Sequence, residues 1–198
     1  MNAEATSARP ERLSRADAAR WQMATPEKPM VIGALLLFDQ QLTLEALEDF
    51  VRDKLVRHRR FRQHVFEPAR RFGRPCWSDD SAFDLRAHVR RLNPPEPVDA
   101  AALVGLVSER MNAPLPPDSS PWSFELVDLA PAGSALLVRI HHCIADGRAL
   151  GLPARRARRR HLQCKGGNIA RTKIVRTRST ASLLRPAHRP PSISHAIA

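Results

Sequence analysis

Met30-Val31-Ile32-Gly33-Ala34-Leu35-Leu36-Leu37-Phe38 is an unbroken apolar run bounded by turn signals. It is far too short to span a bilayer as a helix. Its length, its bounding prolines Pro26 and Pro29 and its β-branched start fit a strand covered on both faces. Such a strand constrains the chain strongly, because both its faces must be buried against other layers. Gly33, inside the run, is a place where another backbone can approach closely.

The covering layers are also legible. Ser14, with Asp17 three residues on, is a capping-box pattern and predicts a short helix ended by Pro26 and Pro29. Thr43 caps a second helix, whose Leu44, Leu47, Phe50, Val51 and Leu55 share one face. Its opposite face, with Glu45, Glu48, Asp49, Arg52 and Lys54, reads as solvated surface. Asp99 caps a third helix, built on Leu103, Leu106, Val107 and Met111. Extended segments are expected at Phe61–Phe66, from Cys76-Trp77, near the end of Phe83–Leu92, at Trp122–Leu129 and at Ser134–Ile140. The last two are joined by a turn at Pro131-Ala132-Gly133. Helices alternate with strands in places and hairpins occur in others, so the fold class is α/β, a sandwich with a mixed sheet. Residues 1–12 read as a disordered lead and 13–150 as the folded lobe.

The net charge of +12 over 198 residues would ordinarily point to nucleic acid or an anionic membrane. Its distribution removes that argument. Residues 1–150 carry 20 basic and 20 acidic side chains, while 151–198 carry 12 basic and no acidic ones. The body is neutral, and a nucleic-acid partner is not expected for it. Cys76, Cys143 and Cys164 form no C-x-x-C pair or disulfide framework, which points to a reducing, cytoplasmic setting. The polar start of the chain does not read as a signal peptide.

The chemistry concentrates where the strand ending at Ile140 runs into His141-His142-Cys143-Ile144-Ala145-Asp146-Gly147. An imidazole titrates near neutrality, so His142 suits a general base that strips a proton from an alcohol or amine. The imidazolium so formed can protonate a departing thiolate, and no covalent intermediate is needed. His141 is its neighbour in the candidate site. Asp146 is read as structural, bracing the loop through an arginine, with Arg139 one candidate. Gly147 permits a turn that a side chain would block. Cys143 as a nucleophile is the weaker reading. A metal on His141, His142 and Asp146 is disfavoured, because adjacent strand residues point to opposite faces.

Three stretches join this motif. They are Leu13-Ser14-Arg15-Ala16-Asp17-Ala18-Ala19 with Thr25-Pro26 and Pro29–Phe38, then Phe83–Arg91, then Ala113–Trp122. Together they resemble the bacterial wax ester synthase/diacylglycerol acyltransferase family, the second matching its "FDL…HVRR" and the third its "PLD…RPLW". Ser120-Pro121-Trp122 stands where the family has Pro-Leu-Trp. The resemblance covers about 12–150 and implies one lobe, the N-terminal half, of a chloramphenicol-acetyltransferase-like fold shared with peptide-synthetase condensation domains. It implies His142 as general base, acyl-CoA as co-substrate with no tightly bound cofactor, and a diacylglycerol or long-chain alcohol as acceptor. It also implies work at a lipid surface without a membrane span. A neighbouring reading is a condensation-type domain that makes amides from carrier-bound acyl groups.

After Leu150 come Gly151 and Pro153, both helix breakers, then Ala154-Arg155-Arg156-Ala157-Arg158-Arg159-Arg160. The favoured reading of 151–198 is out-of-frame translation. A disordered basic arm for acidic lipid or nucleic acid comes next, and a folded accessory element last. The chain alone is accordingly expected to be an incomplete, weakly active fragment, with a non-functional gene remnant as an alternative.

Overall fold

A computed structural model describes residues 11–69, 73–116, 118–144 and, as a strand, 173–177. Four α-helices, a π-helical turn (Arg52–Val56), a 3₁₀ turn (Arg59–Arg62) and eight strands lie among the described residues. In order the α-helices and strands are β1 (Glu11–Arg12), α1 (Arg15–Gln22), β2 (Val31–Phe38), α2 (Leu44–Val51), β3 (Gln63–Phe66), β4 (Cys76–Asp79), α3 (Leu85–His88), β5 (Val89–Leu92), α4 (Ala100–Asn112), β6 (Trp122–Asp128), β7 (Ser134–His141) and β8 (Lys173–Thr177). A five-stranded sheet has the order β5-β6-β7-β2-β8, and a small one the order β1-β4-β3. Among the described strand pairs only β5 and β6 run parallel. A parallel pair needs a crossover, which α4 supplies.

The register of the large sheet sorts its residues into two faces. Trp122, Phe124 and Leu126 lie opposite Ile140, Val138 and Leu136, which lie opposite Ile32, Ala34 and Leu36. This face packs under α2 through Leu47 and Val51, with Phe38, Leu42, Phe61 and Val89. The other face, with Val127, Ala135 and Leu137, packs under α4 through Leu103, Val107 and Met111. Leu13, Ala18, Trp77 and Cys143 form a third cluster, where α1 and the small sheet meet the residues after β7.

The helix starts are as the sequence predicts. Ser14, Thr43 and Asp99 each accept backbone N–H bonds at their helix N-termini. Other elements differ. Glu11 and Arg12 are not a disordered lead but pair with Trp77 and Cys76, and Arg60 reaches Glu11 at 3.0 Å. The first helix stops at Gln22, before either proline. The strand expected from Phe61 begins only at Gln63, because Arg59–Arg62 wind as a 3₁₀ turn that buries Phe61. Phe83–Leu92 splits into α3 and β5, with Asp84 capping α3 by accepting from the Arg86 N–H at 3.0 Å. The apolar β2 has helices over both sheet faces, yet most of its residues are half-buried, because the two cores centre on β6 and β7. Its far edge carries β8, so Lys173–Thr177 of the basic tail are strand rather than disordered chain. Ile174, Val175 and Thr177 are β-branched and suited to that role.

Between β6 and β7 the chain turns at Gly133, whose φ of +105° is one that L side chains rarely adopt. A Cβ there would lie 2.6 Å from the Phe38 carbonyl oxygen.

Candidate active site

β7 delivers His141 and His142 to the end of the large sheet, and four backbone bonds fix their path. The His141 N–H donates to the Pro121 carbonyl (3.0 Å) and the His142 N–H to the Met30 carbonyl (2.9 Å). The Cys143 N–H donates to His141 Nδ1 (3.1 Å), and the Ile144 N–H to the His141 carbonyl (3.0 Å). Met30 has φ +50°, left-handed for a residue with a Cβ, and Asp118, in the loop before Pro121, has φ +53°. Each such residue costs about 1–2 kcal/mol. Among the described residues these are the two non-glycine positions of positive φ, and both lie in segments that hold the histidine pair.

The two imidazoles have different environments. His141 is buried, and its Nδ1 accepts a hydrogen bond, so the ring proton of the neutral form sits on Nε2. That Nε2 has no hydrogen-bond partner among the described residues. The ring packs against Trp21 of α1 with centroids 5.0 Å apart and planes at 61°. Burial, with His142 beside it, lowers its pKa to about 4. His142 is half-buried, and its pKa is lowered by burial and then by the positive charge of Arg20. Arg20 is itself held by Asp17 at 2.9 Å. His142 is therefore unprotonated at neutral pH, the form a base requires.

Cys143 is buried, and burial together with the nearby Asp17 carboxylate pushes its thiol up to about 12. A thiol that stays protonated is no nucleophile. Among the described residues no three His, Cys, Asp or Glu side chains gather as a metal site would require. Asp146 and Gly147 lie outside the described residues.

Arg139 has other described partners than the expected Asp146. On the α4 face of the sheet it lies 3.7 Å from Glu125 and donates to Ser123 Oγ (3.2 Å) and to the Ala113 and Arg110 carbonyls at the C-terminal end of α4. Glu125 is completely buried and also binds Arg90 and Arg110. Burial alone would raise its pKa; the Arg110 and Arg90 bonds and the Arg139 charge outweigh that and hold it low. This network ties α4 to β5, β6 and β7.

The second and third resembling stretches meet at Trp122. Its ring is fully buried, stacks on His88 at 4.5 Å, and donates from Nε1 to the Phe61 carbonyl at 3.0 Å. Phe83 stacks on His88 at 5.2 Å and lies 6.4 Å from the Trp122 ring, so the three rings form one cluster. His88 Nδ1 donates to the Trp122 carbonyl at 3.0 Å. Its pKa is lowered, chiefly by burial.

The match to known proteins decides the family. The model of the wax ester synthase/diacylglycerol acyltransferase catalytic domain matches residues 13–192. The chain belongs to that family. A Mycobacterium tuberculosis relative described as a probable diacylglycerol O-acyltransferase, tgs3, is 34% identical over 140 residues, covering 69% of this chain and 52% of its own. The wax ester synthase/diacylglycerol acyltransferase of Marinobacter aquaeolei VT8 superposes with a TM-score of 0.60 at 25% identity, over 74% of this chain and 36% of that one. The starter condensation domain of rhizomide synthetase shares the fold, with a TM-score of 0.53 at 17% identity over 83% of this chain and 40% of its own. The chain thus spans about half the length of the mycobacterial relative or less of the other two. The family match also runs beyond Leu150, where the resemblance was expected to end, to residue 192. The conformation of 151–172 and 178–198 lies outside the described residues.

Proposed function

We propose that the protein carrying this chain transfers a fatty acyl group from acyl-CoA to a diacylglycerol or a long-chain alcohol, with His142 as the base. The observation that carries this reading is a half-exposed imidazole at a sheet end, kept unprotonated by its surroundings and anchored through its backbone by Met30. Family membership gives the reaction class, and the names of the relatives give the acceptors.

His142 takes the acceptor hydroxyl proton as the oxygen bonds to the thioester carbonyl carbon. The tetrahedral adduct then collapses, the carbon–sulfur bond breaks, and the imidazolium returns the proton to the leaving thiolate. Ester and free CoA result, and no covalent acyl-enzyme forms. His141 belongs to the site as the buried neighbour that orders the turn. Asp146 and Gly147 are assigned to bracing and turning the loop after it. Acyl-CoA is a co-substrate, and no tightly bound cofactor is part of this reading. No described helix is long and apolar enough to cross a membrane. A peripheral position at a cytoplasmic membrane or lipid-inclusion surface suits acceptors of this kind.

The test is ester synthesis by purified protein from labelled acyl-CoA with diacylglycerol or hexadecanol. Transfer that falls by about 10²-fold or more in H142A supports the reading. Equal transfer by H142A defeats it, and so does a requirement for carrier-bound thioesters in place of acyl-CoA.

A further inference from the structure

His141 lies between His142 and a chain of contacts that the acyl-transfer chemistry does not use. Trp21 Nε1 donates to Glu67 Oε1 at 2.7 Å, which ties the last turn of α1 to the end of β3. The Trp21 ring packs against the His141 ring at 5.0 Å. His141 Nδ1 in turn receives the Cys143 N–H at 3.1 Å and so closes the turn that presents His142. The contacts therefore run from Glu67 through Trp21 and His141 to the Cys143 amide. His142 is gripped from two sides, by the Met30 carbonyl on its own N–H and by this stack on the residues flanking it.

We infer that Trp21, oriented by Glu67, is a positioning residue for His142 and acts through His141. The inference rests on the reading of His142 as the base. Aromatic side chains suit this task, since a large flat face restricts a neighbouring ring while costing few rotatable bonds. The acceptor at Glu67 sets the rotation of the indole about its side-chain axis. Without it the ring still buries area but no longer has one orientation. The Asp17–Arg20 pair on the same helix places a cation near His142, so a shift of α1 changes the charge His142 feels as well as its geometry.

The experiment is NMR titration of the ring resonances of His141 and His142 in the purified protein, with kcat and KM measured in parallel, for W21F, W21A, E67A and E67Q. Expected for W21A is a rise of about one unit or more in the His141 midpoint, as the ring loses its cover. A drop of about tenfold or more in kcat with little change in KM is expected beside it, since misplacing a catalytic group by about 1 Å is enough for that. W21F keeps the ring contact without the Glu67 bond, and E67A removes the same bond from the other side. These two should match each other with a smaller kcat loss, and E67Q, which keeps an acceptor, should restore it.

The inference is overturned if W21A leaves both titrations unchanged, or if E67Q loses as much kcat as E67A. If W21A fails to fold, W21F and E67A decide the matter: matched kcat losses support the inference, and unmatched or absent ones overturn it. If wild-type protein transfers no acyl group, the reading of His142 as base has failed. The His141 titration then decides the stack alone, with a shift in W21A supporting it and no shift overturning it.

Discussion

Replacing Glu125 with alanine removes the one carboxylate that serves three guanidinium groups. Arg139, 1% exposed, would then be a buried cation with no described counter-charge. Arg110 and Arg90 would keep access to solvent, so their guanidinium charges would be less desolvated than that of Arg139. Breaking a buried ion pair by removing one partner costs about 3–5 kcal/mol. For a chain of this size each kcal/mol is worth roughly 2–4 °C, so the melting temperature should fall by about 6–20 °C. The assay is urea unfolding followed by circular dichroism at pH 7, with the thermal midpoint as a second reading. E125Q keeps the shape and an acceptor but not the charge, and should fall between wild type and E125A.

The carboxyl pKa in the folded protein lies below its ordinary value. Its contribution is therefore fully present above the unfolded value, about 4.3, and is lost as pH falls from there through the folded one. Wild type should lose stability across that acid range more steeply than E125Q. A loss of under about 1 kcal/mol in E125A, or identical acid limbs in the two proteins, would refute the assignment of this network as the clamp on α4.

Four further outcomes are expected. His141 and His142 both have lowered pKa values, so between about pH 4 and 6.5 the unfolded chain binds protons that the folded one does not. Stability should rise with pH through that window, and H141N should flatten the rise in a pH series of unfolding curves. The acid limb of kcat/KM should accordingly have a midpoint below 6.5, as a pH–rate profile would show. C143A should retain acyl transfer, and the native protein should resist iodoacetamide at Cys143 at pH 8, because the thiol is held at about 12. G133A should cost roughly 1–3 kcal/mol by denaturant melt, since the new Cβ meets the Phe38 backbone oxygen in a conformation alanine resists.

What could be read in advance was what depends on nearby residues. The caps at Ser14, Thr43 and Asp99 act within three residues, and the apolar faces of α2 and α4 follow a local period. The histidine pair stood out because a strand-like run leads straight into it. Contacts between distant segments gave no such signal. Nothing near Met30 announces that its carbonyl will hold His142, and nothing near Trp21 announces His141. Arg139 was one candidate partner for Asp146, which lies outside the described residues; that the sheet register also brings it to the face that carries Glu125 had no local sign. The short helix α3 was hidden because its four residues are too few to show a period, and Asp84 was its only local sign. The strand in the basic tail was obscured by the composition around it, although Ile174 and Val175 suited the open edge of β2.

The connectivity of the large sheet also implies an order of assembly. Among the described strand neighbours of this sheet only β6 and β7 are joined by a short connection, Leu129 to Gly133, so their hairpin closes a small loop and can form early. β5 reaches β6 by way of α4, and β2 reaches β7 from far upstream, and such distant pairings form slowly. The histidine pair sits at the open end of the early hairpin, and the carbonyl that anchors His142 arrives with β2. In the hairpin alone His141 already has the Pro121 carbonyl for its N–H, whereas His142 gains its backbone anchor only when the late strand docks.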